Sequence, residues 1–348
     1  MEFFFITTWE EVLSKHFLDQ WLVWYNKSEN CHVFLHPAMG QAWIETYRPI
    51  RDINPFFCIA KDRDVIFYMP LILWKQNWKN AFQRCLLPLG HSDFDYHDPL
   101  IIGHFSEDQY DEFWNKLFEE VDRINNIDRV YISGITKVPV KGNSRFYKEE
   151  TCPFLTLSSF SDKGEDFLLS LKTSLRGDIR RQLRRLQENG DVAYRVLNSQ
   201  SPDLKEQLQK LLFFHSIRWP KAYKAPRFHE NLIQYGLKNG IVHFSVIYFN
   251  NKPISWHLGF AHRTTFYYYM PVIDPEYQSY SPGKLHLYWL NCWAIKNKLE
   301  IFDHLRGEEN YKAGWTDQIA YIYKTEIETD KIMSKIKRQL IDFKNKLG

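Results

Sequence analysis

The chain lacks a long apolar run, a closely spaced cysteine pair and a strong excess of charge of either sign. In 348 residues no stretch approaches the roughly 20 apolar positions needed to span a bilayer. Met1 to Leu13 begins apolar but meets Glu10 and Glu11 and has no basic start, so it does not read as a secretory signal. Five cysteines (Cys31, Cys58, Cys85, Cys152, Cys292) lie far apart, with no C-x-x-C or Cys/His ligand spacing. A reducing compartment without structural zinc is expected. The net charge of +3 is too small to suggest a nucleic-acid coat. No G-x-S-x-G, H-E-x-x-H, Walker or G-x-G-x-x-G pattern occurs, which argues against hydrolase, metalloprotease and nucleoside-triphosphatase chemistry. These absences predict a soluble, cytoplasmic protein with no metal and no nucleic-acid partner.

What is abundant is aromatic: 26 Phe, 20 Tyr and 12 Trp make 17% of the chain. Aromatic-rich cores account for most of this, and stacking on a base or sugar is the other reading. Apolar content of 44% and charge of 25% describe an ordered globular chain, and its length suits two domains.

In the first half, Thr8 is placed to cap a helix carrying Val12, Phe17, Trp21 and Trp24, and His36-Pro37 opens another through Tyr47. A hairpin is predicted with strands Pro55–Ala60 and Val65–Trp74, then strands 86–89 and 99–102, helix 107–121 and strand 129–135. In the second half, helices cover 163–188, 204–219 and 228–236. Strands cover 192–196, 242–249, 253–262 and 265–270, and a helix from Lys284 to Lys298 leads to strand 301–304. A boundary is expected at 140–165, where Gly142, Asn143 and Ser144 break the pattern. The tail, 329–348, reads as a basic amphipathic helix with Ile332, Ile336, Leu340, Ile341 and Leu347. It is expected to pack on the C-terminal domain; attachment to a membrane surface is the alternative.

Three clusters carry candidate chemistry. Ser281-Pro282-Gly283-Lys284 opens a helix whose free N–H groups suit a pyrophosphate, with Gly283 allowing close approach and Lys284 adding charge. Asp303, Arg306, Glu308, Tyr311 and Lys312 crowd the end of a strand, which is where open α/β sheets place ligands; the plain alternative is a structural ion-pair cluster. The loop His91 to Asp98 holds Asp93, Asp95, Tyr96 and His97 at no metal-ligand spacing. It reads as a substrate loop or a solvated one. His257, on a strand beside small residues, is either a general base or a histidine bonded to backbone. Arg176, Arg180 and Arg184 share one helix face, suited to phosphates or simply solvated.

Tyr280 to Lys284 (YSPGK), Phe302 to Lys312 (FDHLRGEENYK) and Asp274-Pro275-Glu276-Tyr277 resemble the GNAT-type acyltransferase domain of CelD-like proteins in bacterial polysaccharide biosynthesis. Those proteins are related to the FemABX-like transferases. The arginine-rich helix, His36-Pro37-Ala38 with Trp43, and Met69-Pro70-Leu71 extend the resemblance over most of the chain.

The resemblance implies an α/β (α+β) fold of tandem GNAT-like domains, each a mixed, mostly antiparallel sheet flanked by helices. Residues 1–150 would supply acceptor contacts and 151–348 would hold the acyl-CoA site. It implies an acyl-CoA-dependent N-acyltransferase acting in a ternary complex on a nucleotide-linked, dTDP-type amino deoxysugar for O-antigen or capsule. The alternative is a FemABX-like transferase that moves an aminoacyl group from tRNA to a cell-wall precursor.

The implied roles follow. Asp303, Glu308, His257 and Tyr311 are catalytic. Ser281, Gly283 and Lys284 hold acyl-CoA. Asp93, Asp95, Tyr96, His97, Arg306, Lys312 and Arg180 hold the acceptor.

Overall fold

A computed structural model describes residues 1–125, 127–141, 143–161, 165–222 and 225–347. The expected break at Gly142 and the expected helix start at Lys163 lie outside them. The chain forms two compact units, one of residues 1–150 with 321–348 and one of residues 151–320.

The first unit opens with β1 (Glu2–Ile6), α1 (Trp9–Val12), α2 (Lys15–Lys27) and α3 (Pro37–Tyr47). It continues through β2 (Ile53–Pro55), β3 (Phe57–Asp62), β4 (Val65–Met69), β5 (Leu71–Lys75), β6 (Arg84–Pro88), β7 (Leu100–Ile102), α4 (Glu107–Arg123) and β8 (Arg129–Ile135). Strand β9 (Phe146–Thr156) leads into the second unit. There follow α5 (Glu165–Ser170), α6 (Thr173–Asn189), β10 (Val192–Leu197), α7 (Leu204–Arg218), α8 (Phe228–Lys238) and β11 (Val242–Phe249). That unit ends with β12 (Lys252–His262), β13 (Thr265–Ile273), α9 (Pro282–Lys296) and β14 (Ile301–Asp303). Strand β15 (Ile319–Glu328) and helix α10 (Ile332–Leu347) return the chain to the first unit.

Local chemistry explains where the elements break. Thr8 caps α1 as predicted, accepting the Glu11 N–H at 3.4 Å, but Ser14 captures the Phe17 N–H at 3.2 Å and starts a separate helix. The predicted strand 65–74 divides at Pro70, which has no N–H to give to a ladder. Its first part pairs with β3 and β7, and its second with β2 and β6. Helix α4 carries a reciprocal Ser106/Gln109 capping box. It buries Tyr110, Phe113, Trp114 and Leu117 against Phe67 and Ile101.

Both units are mixed, antiparallel-rich sheets with helices on them. In the first, β1-β3-β4-β7 is antiparallel, while β2-β5-β6-β8-β15 contains one parallel pair, β6/β8. In the second, β10-β11-β12-β13 is antiparallel, β13/β14 is parallel and β9 closes the edge. A parallel pair reached through a helix, α4 in one unit and α9 in the other, is the architectural repeat that the residues do not display.

The tail departs from expectation. Residues 321–348 belong to the first unit, and α10 is held there by Ser334 and Lys337 on the Asp128 carboxylate, at 2.6 and 2.7 Å. The sequence placed it on the C-terminal domain.

Candidate functional site

The second unit has a sheet that opens. β14 pairs with β13 only at Thr265, Phe266 and Tyr267, yet β13 runs on to Ile273. From Tyr268 onward the β14 side of β13 carries no β14 partner. Helix α9 begins beside this opening. An ideal Cβ on Gly283 would lie 3.1 Å from Ile273 Cγ2, tighter than an ordinary contact, so glycine eases the close approach of the helix start to the strand. Ser281 enters in the left-handed region (φ 51°), Pro282 takes the first helical position, and no side chain caps the turn. Pro282 has no N–H, and those of Lys284 and Leu285 bond the Ser281 carbonyl at 3.0 and 3.3 Å, so the Gly283 N–H is the one the first turn leaves for a ligand at the mouth of the opening.

A buried polar clasp fixes α9 to the sheet. Ser255 Oγ donates to the Val272 carbonyl at 3.2 Å. The His286 Nδ1–H therefore donates to Ser255 Oγ at 2.8 Å, and its Nε2 accepts from the Ser245 hydroxyl at 2.9 Å. Burial, and then His243, push the His286 pKa down to about 3, so the ring stays neutral as this pattern requires.

His257, the expected general base, is sealed in the same layer. Its ring is wholly buried and stacks on Tyr268 at 4.6 Å. Neither nitrogen has a hydrogen-bond partner among the described residues. Burial, then His286 and His243, hold its pKa well below the ordinary value. The close approach of Gly259, where an ideal Cβ would fall 2.3 Å from the His257 ring, closes the other side. A base must reach the proton it removes, so this enclosure takes the role away from His257.

The strand-end cluster is partly internal scaffolding. Lys312 is buried, and its ammonium donates to the Arg306 carbonyl at 2.7 Å and to those of Leu305 and Gly307 at 3.4 Å. It also pairs with Glu309 at 2.8 Å. Its donors hold the loop after β14 closed and are not presented to a diphosphate. The main-chain carbonyl of Arg306 is one of its acceptors, while the Arg306 side chain is half-buried. Asp303 Oδ1 accepts the Leu305 N–H at 2.8 Å, which steers the chain through the left-handed turn at Leu305 (φ 58°).

Glu308 differs: it is exposed, and one oxygen accepts only weakly from the Thr151 hydroxyl at 3.3 Å. Tyr311 is 38% exposed. Burial and Glu309 raise its phenol pKa, with Arg218 opposing, so it remains a proton donor.

Three residues at this place carry no signal that the sequence reading used. Tyr268 is the first β13 residue beyond the pairing with β14, and its pKa is raised by burial and then Tyr311, with Arg218 opposing. His304 follows Asp303, is buried without a partner for either nitrogen, and is held at about 3 by burial and then Lys312. Arg218 ends α7 and lies over Trp219 at 4.5 Å. Its position could be read only with the fold in hand.

Of the remaining candidates, Lys284 pairs with Asp178 of α6, which also holds Arg181, so its charge is already neutralised. Arg180 is exposed on α6 with no ion pair among the described residues. In the first unit the loop 91–98 turns inward. Asp93 accepts the Trp43 indole N–H at 3.0 Å, and burial raises its pKa to about 6. Tyr96 is buried against His32 and Phe34, and the His97 ring Nδ1 lies 2.9 Å from the Ser133 carbonyl. Asp95 is half-buried. The polar loop of the sequence reading is therefore largely an internal brace. No three or more His, Cys, Asp or Glu among the described residues are arranged to hold a metal ion.

The segment that carries the opened parallel pair and the helix N-terminus, residues 173–313, matches the family model described as acetyltransferase (GNAT) domain. This span contains α6 through the loop after β14, and its fold is GNAT-like. No curated protein matches the chain. Among solved structures, the chain is similar to FemX, at 10% identity and a TM-score of 0.61, covering 93% of this chain and 97% of that one. It is similar to L-PGS from Bacillus licheniformis, at 11% identity, a TM-score of 0.55, and 94% and 96% coverage. A tandem GNAT protein from the clavulanic acid biosynthesis pathway matches at 8% identity, a TM-score of 0.50, and 93% and 98% coverage. At such identities the likeness concerns fold, and it extends over both units.

Proposed function

We propose that the second unit is an N-acyltransferase that takes its acyl group from an acyl-CoA. The opening between β13 and β14 beside the α9 N-terminus carries this reading. There the pyrophosphate would meet the Gly283 N–H at the start of α9, with Ser281 at the turn. The thioester would lie along the free edge of β13, where backbone N–H groups polarise its carbonyl. The acceptor amine attacks that carbonyl, a C–N bond forms and the C–S bond breaks. Glu308 takes the amine proton and Tyr311 returns one to the leaving thiolate. Asp303 and Lys312 hold the loop that carries both.

The acceptor we propose is the amine of a nucleotide-linked amino deoxysugar, such as a dTDP-sugar of surface-polysaccharide synthesis. The guanidinium of Arg218 suits a diphosphate, and Trp219 and Tyr311 suit a sugar or base. A second reading, transfer from an aminoacyl-tRNA in the manner of FemABX-like proteins, is favoured by the fold likeness to FemX.

The test is thiol release by the full chain with acyl-CoAs and nucleotide-linked amino sugars, beside transfer of label from aminoacyl-tRNA. Thiol release that depends on the amino sugar supports the first reading. Transfer only from aminoacyl-tRNA replaces it with the second.

A further inference from the structure

Helix α10 is mounted inside out. At 3.6 residues per turn, Ser334, Lys337, Arg338, Ile341 and Lys344 share one face. That face is turned to the first unit and is polar apart from Ile341. Ser334 and Lys337 hold Asp128. Arg338 donates to the Thr329 carbonyl at 3.0 Å and pairs with Glu328 at 3.2 Å, and Lys344 donates to the Trp78 carbonyl at 2.6 Å.

The opposite face is apolar and uncovered. Ile332, Met333, Ile336, Leu340 and Phe343 fall within about 100° of the helix circumference, and they are between 43% and 78% exposed. An amphipathic helix normally buries this stripe. The stripe continues onto the neighbouring turn, where Trp78 is 60% and Phe82 53% exposed. Lys344 and Lys337 tie that turn to the helix through the carbonyls of Trp78 and Phe82.

We propose that this face of the first unit is a docking surface for an anionic lipid bilayer. Exposed aliphatics beside a tryptophan match the interface between acyl chains and headgroups. Charge selects the occupant. Lys337, paired with Asp128, and Lys344 flank the stripe on one side, and Lys335, paired with Asp330 at 3.4 Å, on the other. Lys79, beside Trp78, and Lys344 have no ion pair among the described residues, so they carry the unpaired charge of this rim. A second copy of the chain would set this basic rim against its own likeness, whereas anionic headgroups complement it. The inference rests on the first unit alone and does not depend on the acyltransferase reading.

The test is flotation of the full chain with vesicles of phosphatidylcholine alone or with roughly one-third phosphatidylglycerol. The protein should float with the anionic vesicles, much less with the neutral ones, and progressively less as salt screens the headgroups. Leu340→Ser with Phe343→Ser should reduce the floated fraction about tenfold. These side chains are exposed, so the melting temperature should hold. Lys79→Glu provides an independent variant and should also weaken flotation. Failure to float with anionic vesicles at low salt overturns the proposal, as does undiminished flotation of the variants. So does a dimer in light scattering that the double substitution dissolves, since the occupant would then be a second copy.

Discussion

Glu308 and His257 were alike in the sequence, two titratable side chains each readable as a proton acceptor, and the fold separates them. Glu308→Gln is expected to lower turnover by roughly 10²–10⁴-fold with little change in KM. His257→Asn is expected to act on stability, costing about 1–3 kcal/mol by removing the ring stacked on Tyr268 and leaving a buried amide unpaired. Thermal unfolding and steady-state kinetics on both variants check this. A His257→Asn enzyme with its melting temperature kept and its turnover gone would return the base to His257. Gly259→Ala belongs beside it. Its Cβ would lie 2.3 Å from the His257 ring and 2.5 Å from the Tyr267 carbonyl oxygen, and a backbone atom does not yield. A clear fall in melting temperature is expected.

At the scale of elements, the start of α9 is the decisive place. Gly283→Val would put three carbons where Ile273 Cγ2 is already 3.1 Å from an ideal Cβ, and would crowd the residue's own N–H, the one the first turn leaves unbonded. Titration calorimetry should show a loss of CoA affinity on the order of tenfold or more; unchanged affinity would move the pyrophosphate elsewhere. This turn was legible in the sequence because Pro-Gly before an apolar helix is a local signal. The capped start at Thr8 was equally local.

The inward course of the loop 91–98 was not legible. Its anchors, Trp43, Ser133 of β8 and Thr136 and Lys137 just beyond it, are distant in sequence, and polar residues braced by backbone look the same as polar residues awaiting a ligand. Lys312 misled for the same reason, since its acceptors are main-chain carbonyls that every residue type carries. The face of α10 was readable as a period of 3.6. Which side it turned inward was set by Asp128 and Trp78, far away along the chain.

For the whole molecule, acid should act unevenly. His243, His286 and His304 in the second unit have pKa values lowered from 6.5 to about 3 by burial, and His257 is lower than its ordinary value as well. The unfolded chain binds these protons first. Their contribution to stability is therefore complete above pH 6.5 and is lost as pH falls toward 3. In the first unit His32, also at about 3, behaves alike. Asp93 and Asp98 there are raised to about 6 from 3.8, so their contribution is present below 3.8 and lost as pH rises through 6. On acidification they offset His32. Hydrogen exchange read by mass spectrometry should show peptides of 151–320 losing protection at higher pH than those of 1–150.

The return of residues 321–348 to the first unit has a consequence for how the protein comes into being. During synthesis, β8 emerges with one side paired to β6 and the other bare, and its partner β15 arrives only after the whole of 151–320 has been made. The second unit is contiguous and is free to fold as it leaves the ribosome, while the first must wait with an open strand edge, a known invitation to aggregation. A stop codon after residue 320 should therefore spare the unit it truncates nearest and ruin the one that began the chain.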